Sequence, residues 1–162
     1  MTVVLWVLGI NWLLPLVCCW AYLLLAWLLF KDVTFHSWYG PFPVFKLDEV
    51  GLVPAHASLW HDWGGVGLMG FAILRDRPET WDDARVARTK VHEGTHCWQW
   101  LLGLAFYLSY LLHMAFIYLF HPKKHPYLDC WAERMARKRA GQQLDFTRAE
   151  WPQGKDDRWP WW

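Results

Sequence analysis

The segment VHEGTHCWQW carries the residues whose types and spacing are best suited to chemistry: His92, Glu93 and His96. On a helix, residues four apart lie about 40° apart around the axis and about 6 Å along it, so both imidazoles face the same way. Two imidazoles placed like this can share one Zn²⁺ ion, with Glu93 beside the metal rather than on it. Its carboxylate could then take a proton from water that the metal activates. The spacing predicts a hydrolytic Zn²⁺ site held by His92 and His96, with Glu93 as the catalytic base.

A catalytic zinc site usually has three protein ligands and keeps one position for water, so a third ligand is needed. Some zinc hydrolases use a third His at a fixed spacing after a Gly, but Gln99 and Leu102 occupy the required positions here. Three more distant histidines could supply the ligand instead: His113, His121 and His125.

The segment HPYLDCWAERMARKRAG offers two acidic candidates for the third ligand, Asp129 and Glu133. They are four residues apart, so a helix through both would place them on one face. The basic residues that follow, and then Gly141, suit the C-terminal end of such a helix. Either carboxylate could bind the metal, and the other could hydrogen-bond to a ligand histidine.

The motifs HEGTH and DCWAERMARKRAG together resemble those of the gluzincin metallopeptidases. The resemblance is to minimal relatives of the membrane-embedded CAAX prenyl protease and HtpX-like heat-shock protease group, and it covers only the stretches around the two motifs. The family's second motif is E-x-x-A-D, whose Glu binds zinc and whose Asp orients a zinc-bound His. Aligned at Ala132, the resemblance implies Asp129 as the ligand and Glu133 as the orienting residue. An Asp is shorter than a Glu by one bond of about 1.5 Å, so its helix would have to come closer. The opposite assignment, with Glu133 as the ligand, stays open.

The start of the chain is strongly apolar, because residues 1–30 contain no Asp, Glu, Lys or Arg. A helix of this length can cross a bilayer core of about 30 Å. No basic residue precedes the apolar run and no small-residue cleavage site follows it, which favours a retained transmembrane anchor over residues 1–31 rather than a cleaved signal peptide. Lys31 and Lys46 follow the run, a small charge difference that favours a cytoplasmic location for the rest of the chain.

A second apolar stretch, residues 97–120, also lacks charged side chains and directly follows the predicted zinc helix. If residues 98–120 crossed a bilayer as one straight helix, His96 and Asp129 would lie more than about 30 Å apart. The stretch is too short for two full spans, which need about 20 residues each. We therefore expect it to reverse near Gly103 or Ser109 and to form a re-entrant or interfacial helical hairpin. The alternative is a buried core helix pair in a compact domain.

The remaining sequence predicts a mainly α-helical fold with a small β element. Residues 33–66 are typical of irregular chain with short strands, and Gly65–Asp76 is the best strand candidate. Thr80 and Asp83 resemble a capping box at the start of the zinc helix. We expect a zincin-like catalytic domain over residues 32–141 and a polar, Trp-rich tail over residues 142–162. The four Cys do not form the spacing of a disulfide framework.

These features predict a membrane-anchored zinc hydrolase, and the resemblance implies a peptidase. The expected partners are a lipid bilayer and a peptide or protein substrate; a net charge of +1 gives no reason to expect nucleic acid. Two alternatives stay open. The chain could be an inactive structural or interaction protein with a structural metal site, or it could hydrolyse a substrate that is not a peptide.

Overall fold

The computed structural model describes residues 2–30, 33–47, 65–75, 83–142 and 144. Within these residues the chain is mostly helical, with one small mixed sheet, as the composition and periodicity predict. The elements, in chain order, are α1 (Thr2–Phe30), β1 (Val33–Tyr39), β2 (Phe42–Leu47), β3 (Gly65–Leu68), β4 (Phe71–Arg75), α2 (Asp83–Gln99), a 3₁₀ turn (Trp100–Leu102), α3 (Leu104–Phe120) and α4 (Trp131–Ala140).

The four strands form a sheet in the order β1-β2-β4-β3, with β2 and β4 parallel and the other neighbours antiparallel. Successive side chains of a strand point to opposite faces, and both faces of β4 are covered. Phe71 and Ile73 pack towards Leu23 of α1, and Ala72 and Leu74 pack with Cys97 of α2. The sheet therefore lies between α1 and α2. Each large apolar side chain buried in this way contributes about 1.5–3 kcal/mol.

The single strand predicted over Gly65–Asp76 is in fact a hairpin of two strands. β3 and β4 pair from Gly65 opposite Leu74 to Leu68 opposite Phe71, with Met69 and Gly70 as the turn. Gly70 has φ +96°, a backbone conformation that a residue with a side chain rarely adopts. The prediction of one strand was wrong because the glycine inside the apolar run marks a turn. As a result β3, not β4, is the edge strand at this end of the sheet.

Of the two helix ends that the sequence predicts at the site, the structure describes only one. Thr80, the proposed capping residue of the zinc helix, lies outside the described residues, and α2 is described from Asp83. The second site helix, α4, ends at Ala140 and is followed by Gly141 in the left-handed conformation, with φ +65°, as expected. Left-handed glycine is a common helix stop because it lacks the Cβ that penalises this conformation.

The apolar stretch after the zinc helix does fold back, and it does so at Gly103. The axes of α2 and α3 meet at a bend of 111°. Gly103 has φ +64°, and a Cβ there would collide with the Asn11–Trp12 segment of α1. Asn11 holds the bend from α1: its Nδ2 donates to the carbonyl of Leu102 at 3.3 Å, and its Oδ1 accepts from the backbone N–H of Ala105 at 3.2 Å.

α3 does not fit the alternative of a buried core helix. Among its residues only Phe106 and Ile117 are buried, while Leu112 is 70% exposed and Leu119 is 67% exposed. Within the residues described, no single helix has both the length and the apolarity of a membrane span. The bent pair Asp83–Leu102 with Leu104–Phe120 meets that criterion together, by length and composition only.

Candidate metal centre

The HEGTH motif lies on the buried face of α2, against the edge strand β3. His92, Glu93 and His96 are each less than a tenth exposed. β3 can approach this face closely because it carries glycine where its backbone meets the helix. A Cβ on Gly65 would lie 2.9 Å from Cγ of Glu93, and a Cβ on Gly67 would lie 2.6 Å from Cβ of His96. The strand therefore fixes the positions of the motif side chains from one side.

Glu133 of α4 completes a compact group with the two histidines. The two imidazole Nε2 atoms are 3.2 Å apart, His92 Nε2 is 3.2 Å from Glu133 Oε2, and His96 Nε2 is 3.2 Å from Glu133 Oε1. In a tetrahedral zinc site with metal–ligand bonds of about 2.0 Å, neighbouring ligand atoms lie about 3.3 Å apart. The separation of the two Nε2 atoms matches an edge of such a tetrahedron, and each Nε2 lies at a similar distance from one of the two Glu133 oxygens.

The structure places Glu133, and not Asp129, against the histidine pair, so the geometry favours the alternative assignment, with Glu133 as the third ligand residue. α4 begins at Trp131, which leaves Asp129 in the preceding turn and outside the helix. The Asp129 carboxylate accepts from the backbone N–H of His125 at 2.9 Å and from Arg134 at 3.1 Å. Asp129 therefore shares no helix face with Glu133, and it stabilises the turn instead.

The carboxylate of Glu133 faces the two histidines, which stabilise its negative charge. Glu133 is 2% exposed, and each of its two carboxylate oxygens lies 3.2 Å from one histidine Nε2. Burial raises the pKa of Glu133, but hydrogen bonds from His92 and His96 and their charges outweigh it and hold the pKa well below its usual range. Burial likewise opposes protonation of His96, yet the hydrogen bond and charge of Glu133 raise the pKa of His96 to about 9. The space between these groups thus favours a cation, either a proton or a metal.

Both histidines turn their second ring nitrogen to a glutamine. His92 Nδ1 lies 2.9 Å from Oε1 of Gln142, and His96 Nδ1 lies 2.7 Å from Oε1 of Gln99. An amide oxygen accepts only, so each Nδ1 is the donor. Each Nε2 is then the atom left for a metal, which is the tautomer that a zinc ligand needs.

Neither glutamine was identified as a site residue by the sequence. Gln99 occupies the glycine position of the pattern that has a third histidine, and the only signal for its role is its spacing of three residues from His96, which places both on one face. Gln142 follows α4, fifty positions after His92, and its role has no signal in the local sequence.

Two tyrosines contact the Glu133 carboxylate, one from α3 and one from the turn before α4. The Tyr110 hydroxyl, in the middle of α3, donates to Glu133 Oε1 at 3.0 Å. Tyr127, whose ring lies 6.4 Å from that of Tyr110, also hydrogen-bonds to Glu133. Tyr110 reaches the site only because the chain bends at Gly103.

The other three histidines that could have supplied a ligand lie elsewhere. His113 Nδ1 accepts from the backbone N–H of Trp131 at 3.1 Å, so it stabilises the start of α4. His125 Nδ1 accepts from the backbone N–H of Leu128 at 3.3 Å, and the His121 ring packs on Phe116. None of the three belongs to the group formed by His92, His96 and Glu133.

The comparisons with known proteins identify no relative. No protein-family model, curated protein or solved structure matches the chain. The donor atoms themselves show that the buried group of His92, His96 and Glu133 could hold a metal ion. Two imidazole nitrogens and one carboxylate oxygen form a set that Zn²⁺ accepts in sites with three protein ligands. Within the described residues, no fourth His, Cys, Asp or Glu joins this group.

Glu93 lies beside the group and is not part of it. Burial raises the pKa of its carboxyl group, while the nearby charges of His92 and His96 lower it; the net shift is upwards. The backbone N–H of Gly67 in β3 donates to this carboxylate and orients it. A buried carboxylate with a raised pKa, next to a group that could hold a metal ion, is suited to accept and release a proton.

Proposed function

We propose that this protein is a zinc-dependent hydrolase, acting as a peptidase at a membrane surface. The observation that carries the proposal is the set of three 3.2 Å separations among His92, His96 and Glu133. The Nδ1 atoms of both histidines face glutamine oxygens, which leaves both Nε2 atoms, beside the Glu133 carboxylate, as the atoms that would bind the ion. A dipositive cation there would offset the negative charge of Glu133 and accept the lone pairs of both imidazoles.

Each residue of the site has a defined part in the proposed reaction. When bound, Zn²⁺ would supply a Lewis acid that polarises a carbonyl group and lowers the pKa of water. His92, His96 and Glu133 would hold it. Glu93 would take the proton from the attacking water and pass it to the leaving amine, a role that its burial and raised pKa support.

Two further features support a catalytic role over a structural one. The described residues supply three candidate ligands, which leaves a tetrahedral ion one position for water or substrate. Glu93 is held by Gly67 beside that group and does not belong to it. A structural site would instead be expected to close with a fourth protein ligand.

A peptide as substrate is supported by the resemblance to gluzincins and by the position of β3. This edge strand lies against the helix that carries His92 and His96, and an extended peptide can add to a sheet edge. The carbonyl of Gly67 already accepts from the Trp100 indole N–H at 3.0 Å. An added peptide would therefore pair with the outer part of β3, nearer Gly65, or displace Trp100.

The proposed membrane association rests on α1 and α3. Both helices lack charged residues and expose many large apolar side chains, among them Trp6 at 68% and Leu112 at 70%. We propose that α1 anchors the chain in the bilayer and that α3 lies in or under one leaflet. Lys90 and Lys123, before and after α3, should then react with an impermeant amine reagent from the same side of sealed vesicles. Labelling of the two lysines from opposite sides would contradict this arrangement.

The proposed activity is tested by incubating the purified full-length chain, in detergent or reconstituted vesicles, with a mixture of unrelated peptides. We expect cleavage of peptide bonds that a metal chelator abolishes and that added Zn²⁺ restores. Cleavage that survives complete removal of metal, or the absence of any cleavage by the zinc-loaded protein, would count against a zinc peptidase.

A further inference from the structure

The outer hydrogen-bond partners of the two histidines are both neutral amides, which affects how basic the imidazoles would be as metal ligands. In zinc sites the second nitrogen of a ligand histidine commonly donates to a carboxylate, which makes the imidazole a more basic ligand. Here the acceptors are Gln99 and Gln142. Arg137, four residues after Glu133 on the same face of α4, adds no negative charge either, because it is cationic.

Both glutamines are fixed by contacts of their own. Gln99 is 6% exposed, and its Nε2 donates to the backbone carbonyl of Ala132 at 3.1 Å, so its Oε1 must face His96. That bond also ties α2 to the helix that carries Glu133.

Gln142 is held at the end of α4 by a left-handed turn. Gly141, at φ +65°, lets the backbone N–H of Gln142 return to the carbonyl of Arg137 at 2.9 Å, and its own N–H bonds to Lys138 at 3.3 Å. These are the two bonds of a Schellman motif. The motif sends the chain back towards α2, so that the Gln142 amide reaches His92.

We propose that Gln99 and Gln142 are positioning residues that present both imidazole Nε2 atoms to a divalent cation without adding negative charge to the centre. The inference rests on the proposed zinc site and deepens it. The amide oxygens fix the tautomer, as carboxylates would, but they leave the ligands less basic and the bound cation more electron-poor. Compared with carboxylate partners, the amides should give a lower metal affinity and a bound ion that is a stronger Lewis acid.

Gln142 offers the clean test, because Gln142→Glu keeps an oxygen acceptor and adds one negative charge, whereas Gln142→Met keeps the length and removes the acceptor. The measurement is the Zn²⁺ dissociation constant of the full-length protein, by competition with a chromophoric chelator. Gln142→Met should bind Zn²⁺ about 10- to 100-fold more weakly, the usual effect of losing an outer partner. Gln142→Glu should bind more tightly than the wild type by about tenfold.

The matched control is Arg139→Gln, which changes the net charge by the same amount in the last turn of α4. Arg139 is exposed, and the variant should bind Zn²⁺ like the wild type. Visible spectra of the Co²⁺-loaded proteins add a second readout: the absorption bands should shift in Gln142→Glu and stay unchanged in Arg139→Gln.

The outcomes separate this inference from the proposed function. If the wild type binds Zn²⁺ and Gln142→Glu weakens binding as much as Gln142→Met, Gln142 only stabilises the end of the helix and the inference is overturned. Unchanged affinity in both variants overturns it as well. A wild type that binds no Zn²⁺ overturns the proposed function together with it.

Discussion

The Glu93→Gln variant is expected to keep its Zn²⁺ while its rate of hydrolysis falls by about 10²- to 10⁴-fold, the usual contribution of a general base. Glutamine has the same length and can still accept from the Gly67 N–H, but it cannot take a proton from water. Metal content should not change, since Glu93 is not one of the three residues that could hold the ion. The measurement combines steady-state rates on a cleaved peptide with the zinc content of the same sample.

Asp129→Asn is the matched control for this variant. It makes the same acid-to-amide change in a buried carboxylate that bonds to His125 and Arg134 and does not face the histidine pair. We expect it to hydrolyse peptides at close to the wild-type rate. A wild-type rate in Glu93→Gln, or a loss of zinc from this variant, would contradict the proposal that Glu93 is the general base.

The histidine pair and its acid neighbour are the parts of the site that the sequence predicts most directly. A spacing of four residues is enough to place His92 and His96 on one face, whatever the rest of the fold does. The position of Glu93 beside the histidine pair also follows from the helix period. These inferences are local, and local geometry is what the helix period determines.

The choice between Asp129 and Glu133 could not be made in this way, because it depends on where α4 begins. A helix through both would have set them on one face, but the chain before Trp131 is a turn closed by His125 and Asp129. A shift of a few residues in the helix boundary therefore turns a candidate ligand into a residue that stabilises the preceding turn. Boundaries are the least certain part of any inference from propensity.

The polar groups around the site depend on tertiary structure and leave still less trace in the sequence. Tyr110 reaches Glu133 only through the bend at Gly103, and that bend depends on Asn11, more than ninety positions earlier in the chain. The sequence predicts that the apolar stretch must fold back, because the ligands have to meet. It does not predict which side chains the fold brings to the carboxylate.

Glu133→Gln is expected to weaken Zn²⁺ binding by more than about 100-fold, beyond the 10- to 100-fold loss typical of an outer partner. A neutral amide lacks the charge that offsets a dipositive ion in a site that is 2% exposed at this residue. Glutamine has the shape of glutamate and can still accept from Tyr110, so the fold should be kept, and circular dichroism can confirm this. His96→Ala should lose Zn²⁺ for the simpler reason that a donor nitrogen is removed.

The most direct measurement of the central claim is the zinc content per chain of the wild type, Glu133→Gln, His96→Ala and Asp129→Asn, purified in parallel from zinc-supplemented cultures and analysed by mass spectrometry. Convergence of two imidazoles and the Glu133 carboxylate on one ion predicts one Zn²⁺ per chain in the wild type and in Asp129→Asn, and almost none in the other two. Equal zinc in all four proteins, or its loss from Asp129→Asn with retention in Glu133→Gln, would contradict the account.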